Sequence, residues 1–360
     1  MSLGNNQFGI RKNSSTVHAV IATHDAMTRY ADDINVGACI FVAFDFSKAF
    51  DRIDHQKLIQ RSLDVNLPSG FVRFLKDYLN NRHQRVRVNG LRSSLRSTVC
   101  GVPQGSILGP FLFGLFISSL QPLESSTLMV KYVDDISIVA PIMKASVADD
   151  LKVIAREIDN ISQWSAENNL TLNASKTCGL IFSRGQFKEQ HNIESLFINV
   201  QFMKSVRFLG IILDESLTWR SHVNFVVKKC NQRLYILRRL RSVTTKKEFF
   251  SIYCGIVRSL IEYACPVFVG VSTVDNVRLC KIQRRCLRIK DSFDAPDISL
   301  RRRSMAESLF NKLPSVDTLL KDFFLASLPS GRLSVPYCRT SLRRASFHLF
   351  HVCSCFFCVL

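Results

Sequence analysis

The chain has 360 residues, 47% of them hydrophobic, enough apolar material for two or three buried domains and too much for a disordered chain. A formal charge of +19 points to an anionic partner, nucleic acid or an acidic membrane, with the balance favouring nucleic acid. The opening MSLGNNQFGIRKNSS has no apolar core, no apolar run reaches the ~20 residues of a membrane span, and the twelve cysteines have no repeated spacing, so secretion, membrane insertion and a disulfide framework are not expected.

From Gly37 to Phe46 the run GACIFVAFDF is apolar and rich in β-formers, which predicts a buried strand ending on Asp45. Pro68 opens an amphipathic helix with Phe71, Phe74, Leu75 and Tyr78 on its apolar side. A period of two around Asn89-Gly90 predicts a hairpin in RHQRVRVNGLRSSLRSTVC. The glycine-rich stretch from Gly101 to Gly109 leads into an apolar helix at PFLFGLFISSL. Two apolar strands, LMVKYV and ISIVA, follow with only Asp134-Asp135 between them. Val147, Leu151, Ile154, Ile158 and Ile161 mark the stripe of a long helix. Next come a strand at Leu180-Ile181-Phe182 and a hairpin-like pair at LFINVQFM and VRFLGIILD. Past Asp214 the chain turns helical, with stripes at Val223, Val226, Cys230, Leu234 and Leu237, at Phe250, Tyr253, Val257 and Leu260, and at Leu279, Ile282, Cys286 and Ile289. A boundary near residue 215 therefore separates an α+β part from a helical one.

Asp-Asp occurs at Asp32-Asp33, Asp134-Asp135 and Asp149-Asp150, and only the second is flanked by apolar strands on both sides. Two carboxylates at the tip of a buried hairpin repel each other and resist desolvation. A divalent cation offsets both effects most directly. Asp45, at the end of another apolar strand, supplies a third oxygen donor if the two segments share a sheet. Hard oxygen ligands select Mg²⁺ or Mn²⁺, and a two-metal arrangement suits phosphoryl transfer. On the carboxylates alone, a plain β-turn beside a strand-end aspartate is an equal alternative.

The order of blocks decides between them. FVAFDFSKAFDRIDH, GVPQGSILGPFLF, YVDD, NLTLNASKT and VRFLGIILD resemble, in sequence order, the five palm motifs of reverse transcriptases from non-LTR (LINE-type, jockey- and CR1-like) retrotransposons. The resemblance extends upstream to QFGIRKNSSTVHAV and downstream to VRSLIEYACPVF and KIQRRCLRI, covering roughly residues 7 to 290. It implies an α+β right-hand polymerase fold: partial fingers over 1–36, a palm over 37–214 with an embedded fingers segment at about 55–100, and a helical basic thumb over 215–303. Residues 304–360 form a poorly defined tail.

By the same resemblance, Asp45, Asp134 and Asp135 hold two Mg²⁺ ions (Mn²⁺ being the alternative), with the Phe46 carbonyl as a further ligand. Phe50 is the steric gate against a ribose 2′-OH, and Gln104 and Gly105 contact the incoming nucleotide. Lys176 protonates the pyrophosphate leaving group, and Phe208, Leu209 and Gly210 hold the primer terminus. Asp51 is expected as a structural carboxylate near the site and Asp54 as a helix N-cap. RNA template, DNA primer and deoxynucleotides are the implied partners, and no membrane is.

Between Lys228 and Arg303 the sequence has eighteen Lys or Arg against six Asp or Glu. Lys228, Lys229, Arg233, Arg238 and Arg239 alternate with the apolar stripe, which suits a duplex backbone held through phosphate contacts. His348, His351, Cys353, Cys355 and Cys358 have no zinc-finger spacing, and the tail reads as a non-native extension, such as a read-through of a decayed element, in preference to a metal site. The reading is an RNA-directed DNA polymerase core. Its rival is a catalytically inactive, truncated nucleic-acid-binding remnant, favoured because the basic fingers block of the family is not found before Gln7; low activity is expected on that account. A metal-dependent phosphatase or nuclease would leave the basic helices without a purpose.

Overall fold

Helix α1 (Thr16–Asp32) precedes the central strand β1 (Val36–Phe44) in a computed structural model that describes residues 4–183, 193, 195–290, 295–313, 320 and 340–344. A short 3₁₀ turn at Ala49–Asp51 leads to α2 (His55–Asp64) and α3 (Ser69–Leu79). The short strands β2 (His83–Gln84), β3 (Arg87–Val88), β4 (Leu91–Arg92) and β5 (Arg96–Ser97) then form nested two-stranded ladders. Their tip is Asn89-Gly90, with φ of +48° and +85° at the two turn residues, the left-handed pair that a tight hairpin requires. Asp54 caps α2 by accepting from the amides of Gln56 and Lys57.

After α4 (Leu108–Phe116) come β6 (Leu128–Tyr132), β7 (Asp135–Met143), α5 (Val147–Glu167), β8 (Cys178–Ser183) and β9 (Gln201–Phe202). Strands β6-β7-β1-β8-β9 form one sheet in that order, antiparallel except for the β8–β9 pair. Central β1 is apolar nearly throughout because both its faces are buried. Cys39 and Phe41 point into a core shared with α1, whereas Ala38, Ile40, Val42 and Phe44 point into one shared with α4 and α5. The fold class is α+β, as expected.

The hairpin expected over residues 196–214 differs from expectation. Strands β10 (Ser205–Phe208) and β11 (Ile211–Asp214) pair with each other, while Gln201–Phe202 adds instead to the main sheet. Helix α3 buries Val72, Leu75 and Leu79; Phe71, Phe74 and Tyr78 lie on its shoulder, where Phe71 packs edge-on against Phe111. Within the segment 1–36, the part at Gln7 runs beside β6, and α1 shares a core with β1, β6 and β8 of the main sheet.

The helical part comprises α6 (Arg220–Leu240), α7 (Lys246–Tyr253), α8 (Ser259–Glu262), α9 (Thr273–Ile289) and α10 (Ile298–Lys312), with a short α11 (Ser341–Arg344) against α1. The stripe Val223, Val226, Cys230, Leu234, Leu237 is buried as its spacing predicts. The second stripe is buried at Phe249, Tyr253, Val257 and Ile261: Phe249 precedes Tyr253 by an ordinary helical step of four, and the π turn at Cys254–Arg258 moves the last position from Leu260 to Ile261. These helices share one continuous core with α1, β10 and β11, so the change of class near residue 215 is not a break in packing. No helix among the described residues is long and apolar enough to cross a membrane.

Candidate active site

Tyr132 pairs with Asp135, so the two-residue turn between β6 and β7 is Val133-Asp134, and Asp135 belongs to the strand. The sequence pattern alone puts Asp134-Asp135 in the turn. Val133 has φ +58°, an unfavourable region for a β-branched residue. The fully buried Gln7 holds it there: its Oε1 accepts from the amides of Val133 (3.2 Å) and Gly9 (2.9 Å). Gln7 is itself fixed by the ladder beside β6, in which the Phe8 amide donates to the Lys131 carbonyl and the Lys131 amide to the Asn6 carbonyl, both at 2.8 Å. On the same strand the buried Lys131 ammonium donates to the Leu120 and Ile117 carbonyls, and burial, then Arg61, lowers its pKa to about 7. Sequence reasoning missed Gln7, whose partner is 126 residues away.

Asp45 follows the last residue of β1, and the Phe44↔Ile136 pairing sets it beside Asp135. Its carbonyl accepts from the Asn173 amide and the Ser47 amide donates to Thr171, both at 2.8 Å. Phe46 bridges Leu172 between these bonds, leaving its own carbonyl outside the pairing. Burial, then Asp134 and Asp45, pushes the Asp135 carboxyl up to about 6, and Asp134 is raised by burial first and by Asp45. Asp45 Oδ2 accepts no hydrogen bond; its neighbour is the Lys176 ammonium at 3.3 Å.

These oxygens suit a hard divalent cation: a carboxylate oxygen that accepts no hydrogen bond and has only the Lys176 ammonium beside it, two carboxyls disfavoured as bare anions, and a carbonyl outside the ladder. They do not form a closed cage. Among the described residues no three His, Cys, Asp or Glu side chains stand close enough to hold an ion by themselves. An open set of this kind fits Mg²⁺, which keeps waters and shares substrate phosphates.

The glycine-rich loop is tied to the segment after β1. The amides of Gly101 and Val102 donate to the carbonyls of Ile53 (2.7 Å) and Phe50 (2.8 Å), and Gln104 Nε2 donates to Asp51 Oδ1 at 2.9 Å. Asp51 is thus the partner of Gln104. Phe50 is half-buried, its ring 5.2 Å from that of Phe113. Gly105 is exposed with φ +82°. A cleft of about 620 Å³ is lined here by Lys48, Asp51, Arg82, Gly101, Pro103 and Gln104.

A second cavity, of about 210 Å³, brings Asp45, Asp135 and Lys176 opposite Arg207, Phe208 and Leu209. The β10–β11 turn is Leu209-Gly210, with φ of +45° and +82°. Phe208 packs edge-on against Phe41 of β1 at 5.3 Å, which anchors this hairpin to the strand bearing Asp45. On α6, Lys228, Lys229, Arg238 and Arg239 are exposed. Arg233 is not on that open face: half-buried, it donates to the Ile256 carbonyl in the π turn. The His and Cys residues of the tail lie outside the described residues.

Comparisons with known proteins place the chain in a family. The family profile described as "Reverse transcriptase (RNA-dependent DNA polymerase)" matches residues 1–213. The chain is 27% identical over 301 residues to the probable RNA-directed DNA polymerase from transposon BS of Drosophila melanogaster, covering 79% of this chain and 32% of the relative. It is 25% identical over 298 residues to the RNA-directed DNA polymerase from mobile element jockey of Drosophila funebris, covering 78% and 31%. The chain thus spans about a third of the length of these relatives. Among solved structures, a telomerase from Candida tropicalis is similar at 12% identity with a TM-score of 0.43, covering 86% of this chain and 51% of that one.

Proposed function

Since this chain belongs to the reverse transcriptase family, in its non-LTR retrotransposon branch, we propose that it carries the nucleotidyl-transfer centre of an RNA-directed DNA polymerase. The reaction is attack of a primer 3′-OH on the α-phosphate of a deoxynucleotide, with release of pyrophosphate. The observation that carries this reading is the cavity in which Asp45 and Asp135 share the lining with Arg207, Phe208 and Leu209 of the β10–β11 hairpin. Carboxylates and a rigid turn converge there as phosphoryl transfer to a held terminus requires.

Asp45, Asp134, Asp135 and the Phe46 carbonyl would hold two Mg²⁺ ions, with Mn²⁺ as a substitute. Bound there, the ions supply charge neutralisation for the attacking and leaving oxygens. Lys176, which is ion-paired with Asp45, would give a proton to the pyrophosphate. Phe50 is the gate against a 2′-OH, held through its carbonyl by the loop that bears Gln104 and Gly105. Phe208, Leu209 and Gly210 hold the primer end. In this reading residues 37–214 are the palm, the segment at about 55–100 belongs to the fingers, and the helices after 215 are the thumb.

Primer extension on poly(rA)·oligo(dT) with dTTP and Mg²⁺ tests the proposal. Elongated DNA is expected, with complete loss on chelation of the metal. A folded chain that adds no nucleotide in either Mg²⁺ or Mn²⁺ refutes it.

The exposed basic face of α6 would grip the duplex backbone. Replacing Lys228, Lys229 and Arg238 by Gln should weaken binding to all duplex sequences alike and reduce the salt slope by roughly one unit for each phosphate that is no longer neutralised. An unchanged slope means that this face is only solvated. Arg233 is left out of the set because its removal would free the Ile256 carbonyl and disturb the helix pair.

A further inference from the structure

The Leu209-Gly210 turn touches Tyr263 of the helical part, a side chain that no motif of the palm contains. Tyr263 follows α8, and its amide is held by the Ser259 carbonyl at 3.0 Å. Just beyond it, Ala264, Cys265, Val267 and Phe268 are all buried, which anchors the phenol on a rigid base. Tyr263 itself is 42% exposed and reaches out of the helical part toward the sheet. Its hydroxyl donates to the Leu209 carbonyl at 2.8 Å and lies 3.4 Å from Thr16 Oγ1 at the start of α1. Its ring covers Gly210 so closely that a Cβ there would stand 2.9 Å from Cε1. The phenol of Tyr132, at the end of β6, is also near enough to feel Tyr263.

One residue therefore meets the turn from two directions, by a hydrogen bond to Leu209 and by ring contact over Gly210. Both turn residues have positive φ, so a small rotation of either peptide would redirect the loop that faces Asp45 and Asp135. We propose that Tyr263 is a positioning residue for the primer terminus, fixing the Leu209-Gly210 turn from the helical part so that the terminal 3′-OH is held in line with the carboxylates. The proposal rests on the polymerase reading above. It assigns to the helices after residue 215 a role in setting the geometry of the reaction, in addition to backbone grip.

Tyr263→Phe keeps the ring and removes the bond to Leu209; Tyr263→Leu also removes the ring. Each is compared with the wild-type chain by single-turnover incorporation at saturating dNTP, by dNTP affinity, by duplex affinity and by amide exchange across residues 208–212. Tyr263→Phe should exchange faster at these amides and incorporate about fivefold more slowly, the effect of removing one neutral hydrogen bond, with both affinities within about twofold. Tyr263→Leu should show a larger effect in the same direction. Faster exchange with an unchanged incorporation rate overturns the proposal, because the contact is then structural only. Unchanged exchange in both variants overturns it as well. A loss of duplex affinity that accounts for the whole rate defect also overturns it, because Tyr263 then serves binding. A wild-type chain that extends no primer defeats the polymerase reading itself, and is told apart because it fails before any variant is compared.

Discussion

Asp134→Asn is expected to slow nucleotide incorporation about a thousandfold, a loss of about 4 kcal/mol of transition-state stabilisation. The amide keeps the size of the side chain but removes one of the charges that would anchor metal. Duplex binding should stay within about twofold of wild type, since the basic face of α6 is a separate surface. Stability should move the other way. Asp135 is held at about 6 by burial and by Asp134 and Asp45, so the folded chain takes up its proton more readily than the unfolded chain. The unfolded chain loses that proton near the ordinary value of 3.8, the folded one near 6. Stability contributed by this group is therefore present below about pH 4 and falls as pH rises to 6. Removing the neighbouring charge should flatten that fall and raise metal-free stability by about 0.5 kcal/mol near pH 7, a figure kept small because these groups are partly exposed. Primer extension and denaturant titration at pH 4.5 and 7 measure the two effects. A mutant retaining more than about a tenth of the wild-type rate would remove Asp134 from the metal set.

The contrast between what the sequence reveals and what it hides follows the range of each interaction. Short-range signals are legible: the unbroken apolar run of β1, the Asn89-Gly90 turn, the stripe from Val223 to Leu237 and the cap at Asp54 each depend on neighbours within a few residues. The β6–β7 turn lies one residue before its expected place, an expectation that rests on Asp favouring turns and Val not. Gln7 overrides that preference from the far end of the chain, through a bond that local pattern does not encode. The stripe through Tyr253 is displaced for a different reason. A π turn inserts an extra residue into the helical repeat after Tyr253, so a 3.6-residue period selects Leu260 where Ile261 is buried. Arg233 looks like its basic neighbours because charge alone does not show that one guanidinium is committed to a carbonyl. The order of motifs points to the site residues, and the fold supplies the braces around them.

Gly101→Ala and Gly105→Ala, four residues apart and both at φ +82°, should separate packing from backbone strain in the loop. A left-handed conformation costs an alanine about 1–2 kcal/mol at either position. At Gly105 nothing lies within 4 Å of the new Cβ, so that cost is the whole effect. At Gly101 the Cβ would stand 2.7 Å from the Asp51 carbonyl oxygen and 2.9 Å from its Cα, contacts with backbone that cannot swing aside. Relief requires the loop to part from the segment Phe50–Asp51. That movement strains the bonds from Val102 to the Phe50 carbonyl and from Gln104 to Asp51, as well as the 2.7 Å contact of His55 with the Gly101 carbonyl. Overpacking of this kind adds about 1–3 kcal/mol, so Gly101→Ala should lose about 2–5 kcal/mol of stability in total. The functional consequence should be larger than the stability loss alone implies, because Phe50 and Gln104 shift together. Incorporation should fall at least about tenfold in Gly101→Ala, and discrimination against ribonucleotides should fall with it as the Phe50 ring leaves its place against Phe113. Gly105→Ala should keep its discrimination, with any rate change confined to nucleotide affinity. Chemical denaturation and the ratio of kcat/KM for dNTP and rNTP measure both variants. Equal losses of stability and discrimination in the two would show that backbone strain alone governs the loop and that the Asp51 contact fixes nothing.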